Sequence, residues 1–177
     1  MVLKMLSFVI ILNLVLHTCV SEMDTLHPSQ PCTEAENKNG HNTFLKRHVR
    51  NDTPTDLKKE NWKVFINKIG TWNRPVQSFF AFGEKNNVTA VCSSGGKMYK
   101  GNLCISKKSF SFITVNIDCK NKIVKSVKRQ KQHVILACDK FKNKCLPDHF
   151  QVNTKNIKPN NNKPDCSKLK LKSIYEE

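Results

Sequence analysis

The sequence predicts a disulfide-bonded α+β protein, with short N-terminal helices followed by a curved antiparallel β-sheet. Three observations lead there. Helix signals cluster before Gly70, short β-branched and aromatic runs fill the chain after it, and eight cysteines lie in a chain that opens like an export precursor. Helices first and strands later is the order expected of α+β rather than α/β architectures.

The opening segment comes first. Lys4 is followed by a mostly apolar run from Met5 to Leu16, and small residues surround Cys19 and Ser21. That is the pattern of a signal peptide over residues 1–21, too short to span a bilayer, where roughly 20 apolar residues are needed. The mature chain is expected to be soluble, secreted and extracellular. Cys19 would leave with the signal, so Cys32, Cys92, Cys104, Cys119, Cys138, Cys145 and Cys166 remain. An odd number predicts one thiol free or bound to another molecule. No C-x-x-C or H-x-x-x-H spacing occurs, so a disulfide framework is expected, with neither a metal site nor a cofactor.

Charge narrows the partners. The chain carries +16, and +15 once Lys4 is removed. Such a surface attracts polyanions: RNA, heparan-type glycans or anionic membrane surfaces. No long amphipathic basic helix accompanies it, which ranks membrane disruption last.

Residues 22–41 are polar, with Pro28 and Pro31, and are expected to form a flexible extension. Residues 42–152 form one domain of about 110 residues, expected to be a monomer. Residues 153–177, with Asn160-Asn161-Asn162-Lys163-Pro164 and then Lys168, Lys170 and Lys172, read as a disordered basic tail. Within the domain, Asn42 is a candidate cap for a short helix placing Phe44 and His48 on one face. Thr53, Pro54 and Asp56 announce a second helix, where Trp62, Phe65, Ile66 and Ile69 share a core face and Gly70 marks the stop. Strands are predicted at Val76–Phe82, Asn87–Ser93, Leu103–Ser106, Phe110–Ile117, Lys122–Lys128, Gln132–Cys138 and Asp148–Val152. Asn51-Asp52-Thr53 and Asn87-Val88-Thr89 are N-glycosylation sequons.

Several segments then fall into a recognisable order. Phe44-Leu45-Lys46-Arg47-His48 resembles the first-helix motif of pancreatic-type ribonucleases, in which Phe is followed four residues on by His. Ala90-Val91-Cys92 resembles that family's Ala-Val-Cys strand, and Asn102-Leu103-Cys104-Ile105-Ser106 a segment of its fish members. Ile117-Asp118-Cys119, His133-Val134-Ile135-Leu136-Ala137-Cys138 and Pro147-Asp148-His149-Phe150 are similar to its Thr-Asp-Cys, His-Ile-Ile-Val-Ala-Cys and Pro-Val-His-Phe segments. The matches span Phe44 to Phe150. They suggest the ribonuclease A superfamily, nearest its fish ribonuclease and angiogenin-like members, and a ribonuclease A-like sheet.

The resemblance implies endoribonuclease activity: RNA cleaved after pyrimidines by attack of the 2′-hydroxyl on its own phosphate. One group must take the hydroxyl proton and another must protonate the leaving 5′-oxygen; imidazoles can do both near neutral pH. By resemblance, His48 is the base and His149 the acid. The family's cation is Lys in a Cys-Lys-x-x-Asn-Thr-Phe motif. Here Asn73-Arg74-Pro75-Val76-Gln77-Ser78-Phe79 stands there, so Arg74 replaces Lys, an exchange that is not conservative at a tuned site. Reduced activity is the expectation. Ser78 keeps the hydroxyl that reads a pyrimidine edge, Asp118 matches the acid behind it, and Phe150 can stack on the base. Arg47 replaces a Gln beside the first histidine, and Gln151 replaces the Asp that orients the second. His27 and His41 read as surface residues. Among the cysteines, the resemblance implies a Cys92–Cys138 bridge and leaves the other pairings open. A catalytically lapsed binding protein on the same fold is the alternative, its charge serving RNA, glycan or receptor binding or host defence.

Overall fold

The computed structural model describes residues 30–166. The proposed signal peptide, His27 and the lysines at 168, 170 and 172 lie outside the described residues.

The first helix, α1 (Gly40–His48), buries Gly40, Phe44 and His48, the four-residue spacing expected of one helix face. It starts before Asn42, where the Asp148 side chain packs so closely that any Cβ on Gly40 would collide with it. Helix α2 (Lys59–Ile69) starts later than Thr53 and Pro54 suggest. The cause is local. Asp56 accepts from the Lys58 backbone N–H at 2.8 Å and the Asn61 amide at 2.7 Å, so the chain makes a turn there before the helix begins. Its end is as expected, with Gly70 at φ 68°.

The strands are β1 (Thr33–Glu34), β2 (Val76–Phe80), β3 (Gly96–Lys100), β4 (Leu103–Ser106), β5 (Phe110–Asp118), β6 (Ile123–Gln132), β7 (Ile135–Phe141) and β8 (Lys144–Gln151). They form two sheets. One runs β2-β5-β6, antiparallel throughout. In the other, β7 is flanked by β8 on one side and β4 on the other, and β3 pairs with β4. Where β4 ends, β1 pairs with Asp139 and Lys140 of β7, the one parallel pairing among the described residues.

Two expectations fail here. Asn87–Ser93 is not a strand. A 3-10 turn (Phe82–Glu84) leads into helix α3 (Lys85–Ala90). The β-branched residues mislead, because burial of Val88, Val91 and Cys92 follows helical spacing. Strand β3 also lacks a sequence signal. Its Gly and Lys residues are poor strand formers, and it forms because β4 supplies partners from Cys104 to Ser106.

The flanking segments differ from expectation as well. Over its described part, the 22–41 stretch carries β1 and is anchored by Cys32–Cys145. Residues 153–166 are held too. Asn153, 2 % exposed, donates to the carbonyls of His133 and Ile157, and Cys166 is bonded to Cys104. Asp165 pairs with Lys97 at 3.0 Å and Lys107 at 2.9 Å. These contacts are long-range, so local composition does not reveal them. Cys92–Cys138 forms as the resemblance implies, Cys119 is also disulfide-bonded, and no cysteine among the described residues is free.

Two cores result. Phe44, Phe80, Phe110, Phe112, Leu136 and Phe150 pack between α1, α3 and the disulfide-rich sheet. Trp62, Phe65, Ile66, Phe79, Ile113 and Val115 fill the space between α2 and the β2-β5-β6 sheet. No helix among the described residues is long and apolar enough to cross a membrane.

Candidate active site

The site lies where α1 meets both sheets. His48 ends α1 and is 4 % exposed, with its ring between Phe44 and Phe150 at centroid distances of 5.1 and 5.5 Å. Its Nδ1 lies 2.7 Å from the Ser78 carbonyl oxygen on β2. A carbonyl can only accept, so Nδ1 carries the proton and Nε2 is left with a lone pair. That tautomer is the one a base needs.

Burial holds the His48 pKa down to about 3; the bond to Ser78 opposes the shift, and the nearby positive charges of Arg74, His149 and Arg47 add to it. Those three side chains come from the turn before β2, from β8 and from α1, and the charge of each acts on the ring. The cost is basicity: an imidazole this hard to protonate is a weaker proton acceptor.

Each partner is placed by its own element. His149 sits opposite Ala137 in the β7·β8 ladder and is half-buried. Arg74 lies in a turn closed by its N–H donating to the Thr71 carbonyl. Gln77, 1 % exposed, clamps that turn from β2, its Nε2 donating to the carbonyls of Thr71 at 2.8 Å and Arg74 at 3.3 Å. Sequence reasoning passed over Gln77 because a lone Gln in a strand carries no signal.

Ser78 is 4 % exposed and its Oγ lies 3.1 Å from Thr114 Oγ1. Thr114, not Asp118, backs that hydroxyl. Ser78 registers with Thr114 across the β2·β5 ladder, whereas Asp118 pairs with Ile123 at the far end of β5. There it accepts from Asn121 and meets Lys125 at 3.5 Å. Phe150 is 7 % exposed and its ring meets His48, Phe80 and Phe112. It is a core residue with little free face. Among the described residues no hydrogen bond links Gln151 to His149, and no cluster of His, Cys, Asp and Glu could hold a metal ion. His41 is no surface decoration: its Nδ1 lies 2.9 Å from the Pro147 carbonyl, two residues from His149.

Neither a family model nor a curated protein matches the chain. Solved structures do. Green turtle egg white ribonuclease superposes with a TM-score of 0.52 at 21 % identity, over 64 % of this chain and 97 % of that one. SS-RNase-2 des116-120 gives 0.51 at 22 %, over 64 % and 94 %. The fold is that of a ribonuclease A-like protein. At such low identity the likeness extends to the ribonuclease fold alone. The chemistry has to be argued from the side chains set on it.

Proposed function

We propose that the protein is a secreted pancreatic-type endoribonuclease of modest activity that cleaves RNA after pyrimidines. The observation that carries this reading is the His48 ring, fixed by the Ser78 carbonyl in the tautomer of a base, with the charges of Arg74, His149 and Arg47 acting on it. His48 Nε2 takes the 2′-hydroxyl proton as that oxygen attacks phosphorus. His149 returns a proton to the departing 5′-oxygen, leaving a 2′,3′-cyclic phosphate. Arg74 and Arg47 stabilise charge on the phosphoryl oxygens. The Ser78 hydroxyl faces the pyrimidine edge, with Thr114 able to give or take the shared proton. RNA is drawn in by net positive charge. The low basicity of His48 and the exchange of Lys for Arg at Arg74 both slow the reaction.

The test is cleavage of a fluorogenic pyrimidine-containing RNA by refolded protein, beside His48→Ala and His149→Ala. Activity lost in both variants is expected. Equal activity in all three preparations would identify a contaminating nuclease. No activity in any of them would transfer the case to a binding protein on the same fold. The depressed pKa of His48 is the one observation that favours that second reading.

A further inference from the structure

A cavity of about 710 Å³ opens at the end of β2 remote from Arg74, and His48, Arg74 and His149 take no part in its walls. The 3-10 turn after β2 contributes Phe82 and Glu84, the β4–β5 turn contributes Lys107 and Lys108, and β6 contributes Arg129. Phe82 is 51 % exposed, an unusual state for an aromatic ring in a chain that buries most of its others. Lys107 is paired with Asp165, but Lys108 has no acid within ion-pair distance among the described residues. Arg129 donates to the Thr55 carbonyl at 2.9 Å, using one of a guanidinium's five N–H groups. Glu84 accepts from the Asn87 amide through Oε2, which leaves Oε1 and the second lone pair of Oε2 as acceptors.

Three chemistries therefore face one space: a cationic edge, an exposed aromatic face and a carboxylate. A sulfated glycan would use the cations but meet repulsion at Glu84. A small inorganic anion would leave Phe82 unused. A nucleotide uses all three, with phosphate on Lys108 and Arg129, base on Phe82, and a donor edge on Glu84. Guanine suits the carboxylate best, since its N1–H and N2–H lie side by side, whereas uracil offers a single N–H between two acceptors. We infer that this cavity is a second nucleotide site, separate from the His48 cleft, that takes a guanine nucleotide either free or within an RNA strand. The inference does not need the cleft to be catalytic.

The probes are guanosine and uridine 5′-monophosphates, titrated calorimetrically into the full chain and into Lys108→Glu, Phe82→Ala and Glu84→Gln, with Tm checked for each. The expected result is at least tenfold weaker guanosine monophosphate binding in the first two variants. Glu84→Gln should remove the preference for guanosine over uridine monophosphate. Cleavage of a uridylyl-adenosine dinucleotide, which reaches only the cleft, should be the same in all; its absence even in the parent chain would count against the proposed function and not against this site. A KM for a 12-nucleotide RNA that rises in Lys108→Glu would identify a strand as the source, and an unchanged one a free nucleotide. Guanosine monophosphate affinity unmoved by Lys108→Glu and Phe82→Ala overturns the inference. So does a loss in Lys108→Glu matched by an equal loss for inorganic phosphate, which would reduce the site to bare charge.

Discussion

The two sheets are held together by different means. The sheet built on β7 is stapled: Cys32–Cys145, Cys92–Cys138 and Cys104–Cys166 all involve residues on or beside its strands, and the Cys32 sulfur lies 3.8 Å from the Cys92 carbonyl oxygen and 3.5 Å from that of Cys166. The β2-β5-β6 sheet has none of these three bonds, and the disulfide-bonded residue beside it is Cys119, just after β5. Its core is formed with α2, whose Trp62, Phe65 and Ile66 pack on Phe79, Ile113 and Val115. The proposed active site draws from both, with His149 on the stapled side and Ser78 and Arg74 on the packed side. Covalent bonds thus fix one histidine's frame, whereas the other histidine is aimed by a carbonyl whose position rests on hydrophobic packing.

The largest expected effect breaks the packed half. Trp62 is fully buried and its Nε1 donates to the Asp56 carbonyl at 2.8 Å. Trp62→Ala should cost about 3–5 kcal/mol in urea unfolding, through the cavity and the lost donor. A loss under about 1 kcal/mol would mean that the staples hold both halves. Next comes the stapled half. Replacing Cys104 and Cys166 together by Ser should cost about 2–4 kcal/mol by calorimetry under oxidising conditions. The effect should fall mainly on residues 153–166, and hydrogen exchange that rises in β2 and β5 instead would contradict the division.

The histidine between the halves gives the third test. A pKa held near 3 in the folded chain, against an ordinary value of 6.5, means that the unfolded chain binds the proton more readily. Stability from this group is complete above about pH 6.5 and falls with pH towards 3, by about 2 kcal/mol at pH 5. His48→Phe should flatten that slope in stability measured against pH, and an unchanged slope would assign it to other groups. The same depression should move the acid limb of kcat/KM well below pH 6. The smallest effect sharpens the role of Gln77. With the clamp on the Arg74 turn removed, Gln77→Ala should lower kcat about tenfold with KM little changed. A change in KM alone would make Gln77 a support for binding rather than for the reaction.

What the sequence disclosed divides along similar lines. The α2 face and most of β2, β4 and β5 were legible because their periodicity is local and their core is made of large aromatic and branched residues. Helix α3 was not, because Val88, Thr89 and Val91 carry strand propensity while their burial follows a helical period. His48 and His149 could be singled out through motifs, but not the carbonyl that orients His48, since backbone partners leave no trace in residue identity. The exchange of Asp118 for Thr114 has another origin. Which residue of β5 faces Ser78 is decided by register across 36 residues of sequence, and a bulge at Asn116 and Ile117 shifts the end of β5 against its neighbour. The cysteines of the flanking segments were uninformative for the same reason, their partners lying far along the chain.

The staples also decide how the molecule carries a pull. Tension applied at residues 32 and 166 would cross from Cys32 to Cys145, follow the chain back to Cys138, cross to Cys92, continue to Cys104 and leave through Cys166. Only the stretches 138–145 and 92–104 lie on that route. Both helices α1 and α2, the whole β2-β5-β6 sheet and His149 lie off that route, so a load between residues 32 and 166 would leave the cleft slack.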